Sequence, residues 1–148
     1  IIVVDNARSI KTKKTIESYD GVHYVEGENA GFGHANNIGA SLAKNDYLLF
    51  LNPDTILVEP ILKFAAEQFS KDKDLRAFGM LLVDERGAYQ ETFGFFPETL
   101  KIIPESFYLP LIKLGYSPSQ IFPWGADLFV RKADFFAAGM FDEKLFMC

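Results

Sequence analysis

Short apolar runs that end abruptly in polar clusters constrain this chain more than any other feature. Ile1-Ile2-Val3-Val4 runs into Asp5-Asn6, Val22 to Val25 into the polar stretch Glu26 to Gly33, and Tyr47-Leu48-Leu49-Phe50-Leu51 into Asn52-Pro53-Asp54-Thr55. Runs of this length and type suit strands buried on both faces. The segments between them carry helical signals. Lys13 to Tyr19 reads as a short helix with Thr12 as its N-cap, and Asp20-Gly21 as the turn after it. Gly33 to Ala43 reads as a helix packing through Ala35, Ile38, Ala40, Leu42 and Ala43. Pro60 suits the first turn of a helix running to Phe69. Strands alternating with helices predict an α/β domain with a mostly parallel sheet and helices on both faces. Ligands of such sheets bind beyond the carboxyl ends of the strands, where the three polar clusters would converge.

The second half is less regular. Ala77 to Val83 reads as a strand, Asp84-Glu85-Arg86-Gly87 as a hairpin turn, and Ala88 to Phe93 as the returning strand. Residues 94–123 hold five prolines and no clean period, which predicts a long functional loop or small subelement. Leu128 to Val130 reads as a last strand and Ala133 to Ala138 as a helix that Gly139 caps.

The chain has 148 residues, enough for one domain. Its net charge of −5 and the lack of a clustered basic face argue against a nucleic-acid partner. The single cysteine, Cys148, permits no internal disulfide and fits a reducing, cytoplasmic compartment. No apolar run approaches the ~20 residues of a membrane span. The aromatic stretch Leu100 to Tyr116, broken by Pro104 and Pro110, suits a partly buried irregular segment; it would also suit peripheral contact with the inner face of a membrane or with a lipid-linked substrate. The apolar ends, Ile1-Ile2-Val3-Val4 and Phe146-Met147-Cys148, read as cuts in a longer polypeptide.

Two clusters carry the chemistry. In Asn52-Pro53-Asp54 the proline stiffens the turn, so Asp54 is aimed and can hold a divalent metal, Mg²⁺ or Mn²⁺, against a diphosphate. The alternative is a simple proline turn with Asp54 as a cap. In Glu28-Asn29-Ala30-Gly31-Phe32-Gly33-His34-Ala35-Asn36-Asn37-Ile38-Gly39, Gly31 and Gly33 allow close approach of a ligand, and the helix behind them offers N–H groups. Asn36 and Asn37 are poor interior helix residues and imply a local purpose. A dinucleotide (NAD) fingerprint is the rival reading of Gly31-x-Gly33 with Asp54. Against it, Asn36 stands at the third glycine position, and Asp54 follows Asn-Pro in a turn.

These segments together resemble the family 2 glycosyltransferases with the GT-A fold, in particular their rhamnosyltransferase-like subgroup. The likeness rests on Ile-Ile-Val-Val-Asp-Asn at 1–6, the Glu28 to Gly39 segment, Leu-Leu-Phe-Leu-Asn-Pro-Asp-Thr at 48–55, and two later stretches. Those are Trp124-Gly125-Ala126 with Phe129-Val130-Arg131-Lys132, and Gly139-Met140-Phe141-Asp142-Glu143. The resemblance implies an inverting transfer from a UDP- or dTDP-linked sugar to a hydroxyl of a glycan or lipid-linked glycan, in cell-surface polysaccharide synthesis. It implies that Asp5 recognises the base with Asn6 beside it, and that Asn29, Gly31, Phe32, Gly33 and Asn36 wall the base and ribose. The resemblance further implies that Asn52 and Asp54 take the place of the metal-binding Asp-x-Asp, with Asp54 the expected ligand. It implies that Gly125 and Ala126 lie against the donor sugar and that Trp124, Asp127, Phe141, Asp142 and Glu143, with 94–123, form the acceptor side.

The sequence departs from the family in three places. Ala7-Arg8-Ser9-Ile10 follows Asp5-Asn6 where a Ser and an Asp are usual. Asp127 stands where a small or apolar residue is common. The family's catalytic base belongs to a Glu-Asp pair expected just after Cys148, and its first strand before Ile1, so no residue within the chain is assigned as the base. A non-catalytic nucleotide-sugar-binding module is the alternative from another class.

Overall fold

The computed structural model describes residues 1–90, 92–95, 121–123, 125 and 127–146. Its elements are β1 (Ile2–Asp5), α1 (Ile10–Glu17), β2 (His23–Glu26), α2 (Phe32–Leu42), β3 (Tyr47–Leu51), α3 (Ile61–Lys71), β4 (Ala77–Gly79), β5 (Phe93–Phe95), β6 (Ile121–Pro123), β7 (Asp127–Arg131) and α4 (Lys132–Ala137). The expected α/β architecture is present, with the described strands distributed over three small sheets.

β1 and β2 pair in parallel, from Ile2↔His23 to Asp5↔Glu26. β7 lies between β3 and β4 and runs antiparallel to both, with Leu51 opposite Asp127 and Gly79 opposite Leu128. β3 and β4 therefore point the same way, and the direct pairings around β7 are antiparallel where the alternation predicted parallel ones. Periodicity reports burial on both faces, which β7 has, but not the direction of a neighbour. β5 and β6 form a separate antiparallel pair. The strand expected over Ala77 to Val83 stops at Gly79, and Val83 makes only an isolated bridge with Tyr89 across the Asp84–Gly87 turn. That turn closes as expected, with Asp84 N donating to Ala88 O at 2.9 Å and Gly87 at φ 77°.

Two cores sit on either side of β7. Leu48, Phe50, Val130 and Phe135 pack with Ala40 of α2, and Phe141 joins them. On the other face Phe129 packs with Ala65 and the fully buried Phe69 of α3. Alternating side chains of one strand feed both, as strand geometry requires. α2 spans the two sheets: Ala40 rests on β3, while Gly39 faces Val4 of β1. Among the described residues no hydrogen-bonded pairing joins β1 to β3.

The junction of β7 and α4 ties off two helix ends. Last-turn carbonyls lack intrahelical partners and need outside donors. Arg131 Nε donates to Leu75 O at 2.8 Å and a terminal nitrogen to Asp72 O at 2.8 Å and to Phe69 O, at the end of α3. Its guanidinium also lies 4.9 Å from the centre of the Phe69 ring. Lys132 Nζ donates to Ala43 O at the end of α2.

α1 begins earlier than the sequence suggested. Ser9, not Thr12, is its N-cap: Ser9 Oγ accepts from Thr12 N at 3.3 Å while Ser9 N is held by Asp5. The helix therefore starts one residue after the cap, at Ile10.

Candidate functional site at the carboxyl edge of the strands

β1 and β2 end at Asp5 and Glu26, β3 and β4 end at Leu51 and Gly79, and β7 begins at Asp127. Contacts join these two edges. Asn6 Nδ2 donates a long bond to Gly31 O, at 3.5 Å, and a Cβ on Gly125 would lie 3.2 Å from the Phe32 ring. Asn6, the Asn29–Gly33 loop, Gly125, Asp127 and the Asn52 turn thus follow one another along a single border.

Asp5 is buried and spends its carboxylate on the chain. Ala7 N donates at 3.0 Å, Ser9 N at 2.9 Å and Tyr24 Oη at 3.0 Å. Burial raises its pKa, but the bonds from Ser9, Tyr24 and Ala7 outweigh burial and hold it below the ordinary value. Tyr24 is pushed up to about 12, first by desolvation and then by its bond to Asp5. Asp5 therefore shapes the loop that carries Asn6 and Arg8, whose Nε donates to Gly27 O at 2.9 Å. Arg8 holds a left-handed backbone, φ 51°, unusual for a non-glycine residue.

Gly31 and Gly33 make close approach possible, and the group approaching is the chain itself. A Cβ on Gly31 would lie 2.5 Å from Phe146 O, and one on Gly33 3.1 Å from Phe141 Cβ. Phe32 N, one of the free helix-start donors, gives its hydrogen to Phe146 O at 3.2 Å. Asn29 is exposed beside this loop. With φ at 101° as well as a close neighbour, Gly31→Ala is expected to cost about 2 kcal/mol in urea unfolding and to loosen residues 141–146.

The two asparagines behave differently. Asn36 Nδ2 donates to Phe32 O within α2, at 3.0 Å. Asn37, which is not among the site residues the resemblance implies, is buried and reaches across to the 141–146 segment. Its Nδ2 donates to Phe141 O at 3.0 Å and to Glu143 Oε1 at 2.9 Å, and Phe141 N donates to its Oδ1 at 3.1 Å. His34 Nδ1 meets Glu143 Oε2 at 2.9 Å. The bond from Asn37, then that with His34, lowers the Glu143 pKa. A polar residue buried in mid-helix was the available signal; two adjacent asparagines hid which one turned inward. Asn37 and residues 138–143 line a shallow open depression of about 430 Å³. Asp142 is exposed at its rim and caps its own turn, accepting from Lys144 N at 3.0 Å.

After β3 the Asn52 turn closes through Thr55 N donating to Asn52 O at 3.2 Å, and the Thr55 hydroxyl donates to the same oxygen at 2.6 Å. Asp54 stands exposed on this turn, with no hydrogen bond among the described residues. Asp127 is 2% exposed. Its Oδ2 accepts from Met80 N at 2.7 Å, and its Oδ1 has no partner among the described residues. Asn6 Oδ1 is the other buried side-chain oxygen in that condition. Among the described residues no three His, Cys, Asp or Glu side chains group as a ready metal cage. Trp124, Ala126 and most of 94–123 lie outside the described residues.

Burial raises the Asp127 pKa, and the Met80 N–H only partly offsets it. A carboxyl whose folded pKa is raised disfavours the folded state once pH exceeds its unfolded value of about 3.9. Asp127→Asn is therefore expected to be more stable than the parent at pH 7, with the difference shrinking as pH falls through the raised folded pKa and largely gone at pH 4. Urea unfolding at the two pH values checks the sign.

An α/β chain with polar loops gathered beyond its strand ends has the layout in which such sheets bind ligands. Comparison with known proteins makes the class specific. Residues 1–101 match Glycosyl transferase family 2, and the chain belongs to that family. It is 30% identical over 162 aligned residues to the rhamnosyltransferase WbbL of Escherichia coli (strain K12). The alignment covers 99% of this chain and 61% of that protein, so the chain spans about three-fifths of its relative's length.

Proposed function

We propose that the whole protein is an inverting glycosyltransferase that moves a sugar from a UDP- or dTDP-linked donor to a hydroxyl of a glycan or lipid-linked glycan, in the synthesis of a cell-surface polysaccharide. The observation that carries this reading is the alignment of Asn6, the Gly31–Gly33 loop, Gly125, Asp127 and the Asn52–Asp54 turn along one edge. Both buried side-chain oxygens without a partner among the described residues belong to it.

On this reading Asn6 and the Asn29–Gly33 loop bind base and ribose, Asn36 lies behind that loop, and Gly125 and Ala126 bound the donor sugar. Asp5 acts by holding the loop rather than through free carboxylate oxygens, since three donors already occupy them. A divalent cation suits Asp54, because a turn carboxylate without a partner among the described residues, plus diphosphate oxygens and water, meets the needs of Mg²⁺ without a cage of side chains. When bound, the ion would neutralise charge on the leaving diphosphate. Trp124, Asp127, Phe141, Asp142 and Glu143 make up the acceptor side. Inversion also requires a base in hydrogen-bond reach of the acceptor hydroxyl, and the reading assigns that part to no residue of this chain.

No helix among the described residues is long and apolar enough to cross a membrane. Beside the Asp54 turn, however, Ile56 is 85% and Val58 78% exposed, which supports peripheral contact with a lipid-linked acceptor. The test is release of nucleoside diphosphate by the whole protein from a panel of UDP- and dTDP-linked hexoses and deoxyhexoses, rhamnose included, with lipid-linked glycan as acceptor. Acceptor-dependent release from one donor is expected. No release from any donor in the panel would overturn the reading.

A further inference from the structure

The first two turns of α2 serve two neighbours at once. The Asn29–Gly33 loop leads into them, and the segment 141–146 is laid along them by five separate contacts. Asn37 exchanges a pair of hydrogen bonds with the Phe141 backbone. Asn37 and His34, one helical turn apart on the same face, each take one oxygen of Glu143. Phe32 N then holds Phe146 O, directly over Gly31. Asn37 is 5% exposed, and its amide satisfies Phe141 N, Phe141 O and Glu143 together, which an aliphatic side chain cannot do. Backbone groups left without a partner are costly, and three of the five contacts that place this segment depend on that one amide.

We propose that Asn37 is a positioning residue that couples the loop Asn29–Gly33 to the segment Phe141–Phe146, so that nucleoside diphosphate at the loop and the placement of Asp142 and Glu143 are energetically linked. The loop's role as donor site rests on the functional reading above; the coupling between loop and segment does not. Linkage is reciprocal: a nucleotide that orders Gly31–Gly33 must also steady the Phe141 backbone, and a loosened Phe141 must weaken nucleotide binding by the same factor.

Amide hydrogen exchange measured by NMR, with and without UDP or dTDP and Mg²⁺, tests this. The two reporters are Phe141 N, bonded to Asn37, and Phe32 N, which has no bond to Asn37. In Asn37→Ala both should exchange at least about tenfold faster, while the β7 amides of Leu128 to Val130 keep their protection. Glu143→Ala, a change at an exposed side chain, should accelerate Phe32 N as well. Glu143→Gln should restore it, because the amide oxygen still accepts from Asn37 and its nitrogen can donate to His34. Nucleotide should slow Phe141 N exchange in the parent and lose affinity several-fold in Asn37→Ala. Unchanged Phe32 exchange in both Asn37→Ala and Glu143→Ala would overturn the coupling. If Asn37→Ala unfolds, Glu143→Ala against Glu143→Gln decides. If UDP and dTDP fail to bind the parent, the functional reading falls, while the Phe32 and Phe141 exchange rates still decide the coupling.

Discussion

Asp54→Ala is expected to remove metal-dependent binding of a nucleoside diphosphate, with a loss of roughly a hundredfold or more in affinity, about 2.7 kcal/mol. The thermal midpoint without ligand should barely move. Asp54 is exposed on its turn and has no hydrogen bond among the described residues, while the turn is closed by Thr55 and Asn52 backbone groups that the substitution leaves alone. Asn52→Ala should lose less, because an amide oxygen is a weaker ligand for a hard cation than a carboxylate. Calorimetric titration of UDP and dTDP, with Mg²⁺ and with chelator, separates the two. Equal metal dependence in the parent and in Asp54→Ala would remove Asp54 from the ligand set.

The largest expected effect on stability lies far from that turn. Arg131→Ala should destabilise the fold by about 3 kcal/mol, since three charge-assisted bonds to backbone carbonyls vanish and those carbonyls lose their partner. The guanidinium also packs on Phe69, the most deeply buried large side chain described, and lies 5.5 Å from the Tyr47 ring. Arg131→Lys should recover only part of the loss, because an ammonium cannot span Leu75 O, Phe69 O and Asp72 O from one planar group. Urea denaturation of the three proteins gives the comparison. An Arg131→Ala variant within about 0.5 kcal/mol of the parent would show that the helix-end bonds are not what anchors α3 to β7.

The sequence displays parts of this molecule unequally. Tyr47 to Leu51 is a strand as its apolar run implies, and Gly139, with φ 93° and its N donating to Phe136 O, ends α4 as its position implied. Such features are local: one run or one residue type determines them. The direction of β7 is not local. Its residues alternate between two cores, and that burial would look the same beside parallel or antiparallel neighbours. The start of α1 is not legible locally, because Thr12 and Ser9 are both competent caps and Asp5, by holding Ser9 N, decides between them.

The candidate site shows the same division. Asn6, Gly31, Asn52 and Asp54 stand out in sequence by residue type and by their place after strands, and the structure sets them along one edge. Asp5 stood out equally, but its carboxylate is engaged within the fold. Asn37 and His34 were not distinguished, because their partner Glu143 lies more than a hundred positions away: the separations are 106 and 109. The glycines at 31 and 33 suggest close approach of a ligand, and in the fold the close neighbour is the chain itself. The neighbour at that distance, Phe141 to Phe146, becomes visible only once the chain is folded.

The central claim is that nucleoside diphosphate binds at the carboxyl edge of the strands. The most direct measurement is an NMR titration of the ¹⁵N-labelled protein with UDP and with dTDP in the presence of Mg²⁺. Saturable shifts are expected for one of them at Asn6, Gly31 to Gly33 and Asn52 to Thr55. Little change is expected at the opposite edge, around Ser18 to Gly21, Lys44 to Asp46 and Asp72 to Leu75. Shifts confined to that opposite edge, or none with either nucleotide at millimolar concentration, would contradict it.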